Sequence, residues 1–313
     1  MSRLPPFPFL VGCGRSGTTL LRAMCDSHQE LAVPPESHFV VPLAPRAGAP
    51  GSGPFDAHSF VDRLFRQERF ELWELDRAAV VAEFGRSLPQ SYAEAVRVVF
   101  ALWAAGQGKE RYADKTPGYV LHIAMLARLF PEAVFVHLIR DGRDVASSFR
   151  DVGWSDTIED AALHWKLRVR RGRMAGHALP PHRYHEMRYE DLVGDAEGSL
   201  RRLCEVIGLR FTPDMLQHHR QAAEVVRTTS HPGYHRNLAR PPTAGLRDWR
   251  RDLSAAEVER FELVAGDLVG ELGYEPSGLR PSVRARVGVA STQVRWQLHR
   301  AARRAGRAFR TPQ

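Results

Sequence analysis

The residues most able to do chemistry are at 12–19, where Gly-Cys-Gly-Arg-Ser-Gly-Thr-Thr follows an apolar run and places Gly12 and Gly17 at the G-x-x-x-x-G spacing of a phosphate loop. Backbone N–H groups from Gly14 to Thr19, at the positive end of a following helix, form an anion site whatever the side chains are. Arg15, Ser16, Thr18 and Thr19 add charge-assisted and hydroxyl donors. The loop departs from the nucleoside triphosphatase pattern at one position. A lysine that reaches the β/γ phosphates belongs after Gly17, and the chain has Thr18 there. The expectation is a phosphate not attached to Mg²⁺, a donor other than ATP, and no metal.

Such a loop needs a buried strand before it and a helix after it, and the sequence supplies an alternating α/β pattern. PFLVGCG at 8–14 and AVFVHLI at 133–139 are nearly continuous apolar runs, as in strands buried on both faces of a parallel sheet; RYHEMRY at 183–189 is a weaker strand. Helical spacing covers 18–27, 58–70, 76–86, 91–106, 118–130, 157–175 and 191–207, and Ser254 with Glu257 makes a capping box that opens a helix to about Gly273. The segment LAVPP at 31–35 reads as a second buried strand ending beside the loop, and 44–56 as a long proline- and glycine-rich loop. The expected fold is α/β, P-loop-like and three-layered, with a central, mostly parallel sheet flanked by helices. At 313 residues and 43% hydrophobic the chain can bury one full core. We expect one domain over 1–276 and a basic extension over 277–313.

Net charge is +8, but nine of the 44 basic residues lie from Arg280 onward with no acid among them, leaving 35 basic against 36 acidic residues in the body. The body lacks the basic stripe with interleaved aromatics that nucleic acid requires, so no nucleic-acid partner is expected. The tail can be written as a helix with Val287, Val294, Trp296 and Leu298 partly on one side, a pattern open to an acidic partner or to peripheral contact with an anionic membrane surface, as well as to a solvated extension. Cys13, Cys25 and Cys204 have neither disulfide nor zinc spacing. With prolines in the first ten residues and no apolar stretch of transmembrane length, a cytoplasmic location is expected. His122, His137, His164, His218 and His219 fall in no metal-like cluster and read as packing or surface residues.

GRSGTTLL at 14–21 and HLIRDGRDVASSF at 137–149 resemble the two donor-binding signatures of sulfotransferases that use 3′-phosphoadenosine 5′-phosphosulfate, PAPS. The first resembles the 5′-phosphosulfate loop. The second resembles the 3′-phosphate site, in which an arginine at a strand end and a serine eight residues later bind that phosphate; here these are Arg140 and Ser148. The first lies where ligands of open α/β sheets bind, the second about one turn into the next helix. The segment beginning at Tyr189 resembles a Tyr-Glu-x-Leu element beside the adenosine, and GLRDWRRDLS at 245–254 a C-terminal donor-closing loop, implicating Arg247 and Trp249. The likeness runs over roughly residues 7–275.

Cytosolic aryl and steroid enzymes of this class carry lysine in place of Arg15 and use a histidine base. The Arg-Ser-Gly-Thr-Thr loop is more similar to tyrosylprotein sulfotransferases and their bacterial relatives, in which a glutamate 21 residues after the loop arginine is the base; that is Glu36, in PPESHF, with His38 as runner-up. The resemblance implies that Arg15 and Lys115, in ADKTP at 113–117, stabilise charge on the leaving nucleotide and that a hydroxyl from Thr229 or Ser230 assists. The acceptor would be a hydroxyl on a small molecule, glycan, lipid or peptide. Two other functions share the loop: a nucleotide kinase, which should show lysine at position 18 and need Mg²⁺, and a nucleotide-binding protein without a base.

Overall fold

In the computed structural model, residues 4–45, 55–227, 247–283, 285–292 and 294 are described. Thr229, Ser230, Trp296, Leu298 and most of the 44–56 loop lie outside them. The chain runs β1 (Phe7–Gly12), α1 (Thr18–Asp26), β2 (Leu31–Ala32), α2 (Ala57–Leu64), α3 (Arg77–Ser87), α4 (Tyr92–Gly106), β3 (Arg111–Tyr112), β4 (Asp114–Lys115), α5 (Ile123–Leu129) and β5 (Ala133–Ile139). It continues with α6 (Gly142–Asp151), α7 (Ile158–His177), β6 (Tyr184–Arg188), α8 (Tyr189–Gly194), α9 (Ala196–Ile207), α10 (Ala222–Arg227), α11 (Trp249–Asp252) and α12 (Ala255–Glu271). Two compact units result, Met1–Ile139 with Arg171–Ala244 and Arg140–Arg170 with Gly245–Gln313.

The first unit is built on a four-stranded sheet in the order β4-β1-β5-β6, parallel at every pairing. Alternation along β1 explains why its sequence is apolar throughout. Phe7, Phe9 and Val11 enter one core with Phe39, Trp73, Phe100, Phe130 and Phe135, while Leu10 enters the other with Val136, Leu138, Leu21 and Leu203. The sheet is therefore covered by helices on both faces, the three layers expected. Parallel strands also bring their ends to one edge, and the loop after Gly12, Lys115 and Tyr189 all leave the sheet there.

Several boundaries differ from the periodicity. LAVPP is paired only at Leu31–Ala32, with β3 in a separate two-stranded sheet, because Pro34 and Pro35 have no N–H to continue a ladder. The 191–207 run breaks where the Asp195 side chain accepts from Gly198 N at 2.9 Å and caps α9. The 118–130 run divides into a 3₁₀ turn, Pro117–Leu121, and α5. Ser148 lies in the second turn of α6, past the first turn as read. The helical run read at 58–70 is realised as α2, ending at Leu64, and a separate 3₁₀ turn at Phe70–Trp73.

In the second unit, Trp165 and Phe261 pack 5.8 Å apart against Gly142, where a Cβ would meet both rings. Ser254 and Glu257 form the expected reciprocal capping box. Residues 285–292 are helical, with Ala285, Val289 and Thr292 buried and Val283, Val287 and Val294 exposed. Among the described residues no helix is long and apolar enough to cross a membrane.

His137, fully buried in β5 with Nδ1 2.7 Å from Tyr184 Oη, is pulled down to about 4 by burial, and His164 shifts the same way. The unfolded chain takes up its proton near 6.5. Stability is therefore lost as pH falls from about 6.5 towards 4, and His137 alone should cost roughly 2 kcal/mol at pH 5. Asp114, raised by burial to about 6, acts in the opposite sense below that pH. Urea midpoints at pH 7.5 and 5.0 should differ less in His137→Gln than in the parent; an equal difference contradicts the assignment.

Candidate active site

Between β1 and α1 the loop is closed by Ser16 N donating to Cys13 O at 3.2 Å, and it is shaped by two left-handed residues, Arg15 (φ 68°) and Gly17 (φ 95°). No side chain caps α1, whose first turn carries no acid. Its first N–H groups are therefore available to an anion. Ser16 is 1% exposed, and its Oγ is buried without a hydrogen-bond partner, a donor that a phosphate oxygen would satisfy. Thr18 and Thr19 are also buried here. Two glycines are required sterically: a Cβ at Gly12 would lie 2.6 Å from Leu138 O, and one at Gly17 would enter the Tyr189 ring. The structure thus gathers Arg15, Ser16, Gly17, Thr18, Thr19 and Tyr189.

Beside this edge is a buried ion pair. Register places Lys115 opposite Leu10, two residues before Gly12, and its Nζ bonds Glu36 Oε1 at 2.6 Å. Lys115 is 1% exposed and the Glu36 side chain 26%. Burial acts to raise the Glu36 carboxyl, but the Lys115 ammonium and His38 outweigh it and hold the acid well below the usual carboxylate range. Burial lowers Lys115, with Glu36 opposing. Behind them, Asp114 accepts from Thr116 Oγ1 at 3.3 Å, and its Oδ1 has no hydrogen-bond partner. The chain just after Glu36 is held by Ser37 N donating to Thr116 Oγ1 at 3.0 Å and Val40 N donating to Tyr119 Oη at 3.1 Å. His38 Nε2 lies 3.0 Å from Glu36 Oε2 and 3.2 Å from Arg69 Nη1.

The second unit holds the other residues singled out by sequence. Arg140 donates to Asp144 Oδ2 at 3.0 Å, and Asp144 also accepts from Trp249 N at 2.8 Å. Burial raises the Asp144 carboxyl against the pull of Arg140. Arg247 reaches Ser147 Oγ at 2.8 Å and Asp151 at 2.6 Å. Ser148 is buried in the same helix. The Trp249 ring carries the guanidinium of Arg143 at 3.9 Å and that of Arg250 at 4.6 Å. Arg143, 1% exposed, is held in turn by Asp141 and Glu262 at 2.7 and 2.8 Å. Among the described residues no group of His, Cys, Asp or Glu is arranged to hold a metal ion.

A profile described as "Sulfotransferase family" matches residues 6–213, more than half of the chain. The chain belongs to the sulfotransferase family. It is 27% identical over 303 residues to nodulation protein NoeE of Sinorhizobium fredii, covering 88% of this chain and 68% of that protein. It is 25% identical over 303 residues to protein-tyrosine sulfotransferase 1 of Danio rerio, covering 88% and 74%. Among solved structures, the sulfotransferase domain from the curacin biosynthetic pathway superposes with a TM-score of 0.55 at 20% identity, covering 88% of this chain and 99% of that one, and shares the fold. The resemblance to tyrosylprotein and bacterial sulfotransferases read from the loop accordingly holds.

Sequence reading missed Arg69 and Arg143. Arg143 stood inside the second motif, but the stacking partner that gives it a role is 106 residues away; Arg69 is 31 residues from His38 and in no motif. Asp114 was passed over as a neighbour of Lys115. For the loop, Gly17→Ala should destabilise the protein by about 1–3 kcal/mol, since it combines a positive φ with a clash. In a Tyr189→Ala background the same substitution should cost measurably less by urea denaturation; equal costs would remove Tyr189 from the loop's support.

Proposed function

We propose that this sulfotransferase moves a sulfuryl group from PAPS to a hydroxyl acceptor, with Glu36 as general base. The observation that carries the reading is the 2.6 Å Lys115–Glu36 contact at the edge where the phosphate loop leaves the sheet. In this reading Gly17, Ser16, Thr18 and Thr19 hold the 5′-phosphosulfate with Arg15. Arg140 and Ser148 take the 3′-phosphate, Tyr189 lies by the adenosine, and Arg247 and Trp249 close over the donor. Trp249 would close through its place in the segment, its ring being covered by arginines. Thr229 or Ser230 is the proposed assisting hydroxyl.

The acceptor hydroxyl loses its proton to Glu36 as its oxygen attacks sulfur, while Arg15 and Lys115 meet the charge that develops on the bridging oxygen of the leaving bisphosphate. Paired with Lys115, the carboxylate is a weak base. Donor phosphosulfate competes for the ammonium, and as Lys115 turns towards it Glu36 regains proton affinity. Donor binding therefore precedes activation of the acceptor. Three free, buried cysteines fit a reducing compartment such as the cytoplasm. The arginine-rich tail would permit peripheral contact with an anionic membrane.

Two measurements test this. Charge-assisted hydrogen bonds contribute roughly 1.5–3 kcal/mol each, so calorimetry should find adenosine 3′,5′-bisphosphate bound at least about tenfold more tightly than AMP; equal affinities would exclude a 3′-phosphate site. Glu36→Gln should lower single-turnover transfer by about 10²- to 10⁴-fold with bisphosphate affinity nearly unchanged. Turnover close to that of the parent would remove Glu36 as the base.

A further inference from the structure

At the reacting carboxylate one nitrogen has two incompatible partners. His38 Nε2 is 3.0 Å from Glu36 Oε2 and 3.2 Å from Arg69 Nη1. A guanidinium only donates, so Arg69 is satisfied by a lone pair at Nε2. An ionised carboxylate only accepts, so Glu36 is satisfied by a proton there. The ring cannot offer both. Movement of one proton between Oε2 and Nε2 exchanges one arrangement for the other, across a distance at which proton transfer between hydrogen-bonded groups occurs.

The backbone points to the same place. His38 has φ 40° and Arg69 φ 70°, both left-handed without being glycine. Such a conformation costs roughly 1–2 kcal/mol per residue and persists where the surroundings over-determine it, typically at functional sites. Here two such residues touch each other over the proposed base. The bonds at Ser37 N and Val40 N clamp the chain on either side of His38. Its ring is 35% exposed, whereas Lys115, the other partner of Glu36, is 1% exposed. Of the partners of Glu36, the imidazole is thus the one with a way to water. The charged groups facing it are Glu36 and Arg69, with Lys115 on the far carboxylate oxygen and Asp114 behind.

We infer that His38, aimed by Arg69, is the proton exit of the reaction, a positioning and relay residue acting through Glu36; the inference rests on Glu36 being the base. The acceptor O–H bond breaks, its proton passes to Glu36 as the oxygen–sulfur bond forms, and Glu36 Oε2–H then gives it to the Nε2 lone pair of the Nδ1–H tautomer. The imidazolium releases its Nδ1 proton to water, Glu36 returns as carboxylate, and the Nε2–H tautomer left behind exchanges protons with water to regain Nδ1–H before the next turnover.

His38→Gly tests this without threatening the fold, because glycine suits φ 40°. Thermal stability should hold or rise, kcat should fall about tenfold or more, and KM for donor and acceptor should stay within about twofold. Added imidazole should restore kcat saturably in His38→Gly and do nothing for Glu36→Gln. His38→Asn tolerates the left-handed backbone but takes no proton, so it should remain as slow as His38→Gly. An inactive Glu36→Gln beside a fully active His38→Gly, a fully active His38→Asn, or indifference to imidazole overturns the relay. An active Glu36→Gln overturns instead the reading on which it rests.

Discussion

The Lys115–Glu36 ion pair is the constraint around which the first unit's site is arranged. A buried ammonium and a mostly buried carboxylate are costly to desolvate separately, and each is tolerable because the other is 2.6 Å away. The sheet supplies the lysine on β4, one strand from β1. The chain after β2 supplies the glutamate from a segment with no ladder of its own, held by Thr116 and Tyr119. The same pairing that offsets the cost of burial holds the Glu36 carboxyl well below the usual carboxylate range, and in the proposed mechanism it would tie activation of the base to arrival of the donor.

Left-handed backbone in residues other than glycine falls in two kinds of place among the described residues: at the helix ends Glu74 and Leu88, and around that pair and the phosphate loop. Arg15, His38 and Arg69 are left-handed, and each belongs to the loop or the base cluster. An ordinary loop would relieve that strain. Here it fixes the direction of backbone N–H groups and of an imidazole, at a cost the aromatic core can offset: Phe7, Phe9, Phe100 and Phe130 lie in a chain of ring contacts 4.5–5.7 Å apart directly beneath β1.

What the sequence disclosed follows from the range of each interaction. β1 and β5 were legible because strands buried on both faces must be apolar throughout, β6 more weakly because only Tyr184 and Met187 of it are buried, and the Ser254–Glu257 cap because its partners are three residues apart. Of the two-residue strands, β2 was read as the longer LAVPP segment, whereas β3 and β4 were not read at all, since they exist only through pairing with distant partners. The phosphate loop could be read from Gly12 to Thr19 because its function resides in contiguous backbone. The partnership of Glu36 with Lys115 spans 79 residues; resemblance to a family nominated both, but no spacing joined them. Arg69 and Arg143 stayed hidden for the same reason.

The central claim is that Lys115 sets the proton affinity of Glu36, and ¹³C NMR titration of the Glu36 carboxyl tests it most directly. The account predicts ionisation well below the ordinary glutamate value of about 4.3 in the free protein, and a rise to or above that value in Lys115→Met. A carboxyl that titrates near the ordinary value in both proteins would contradict it.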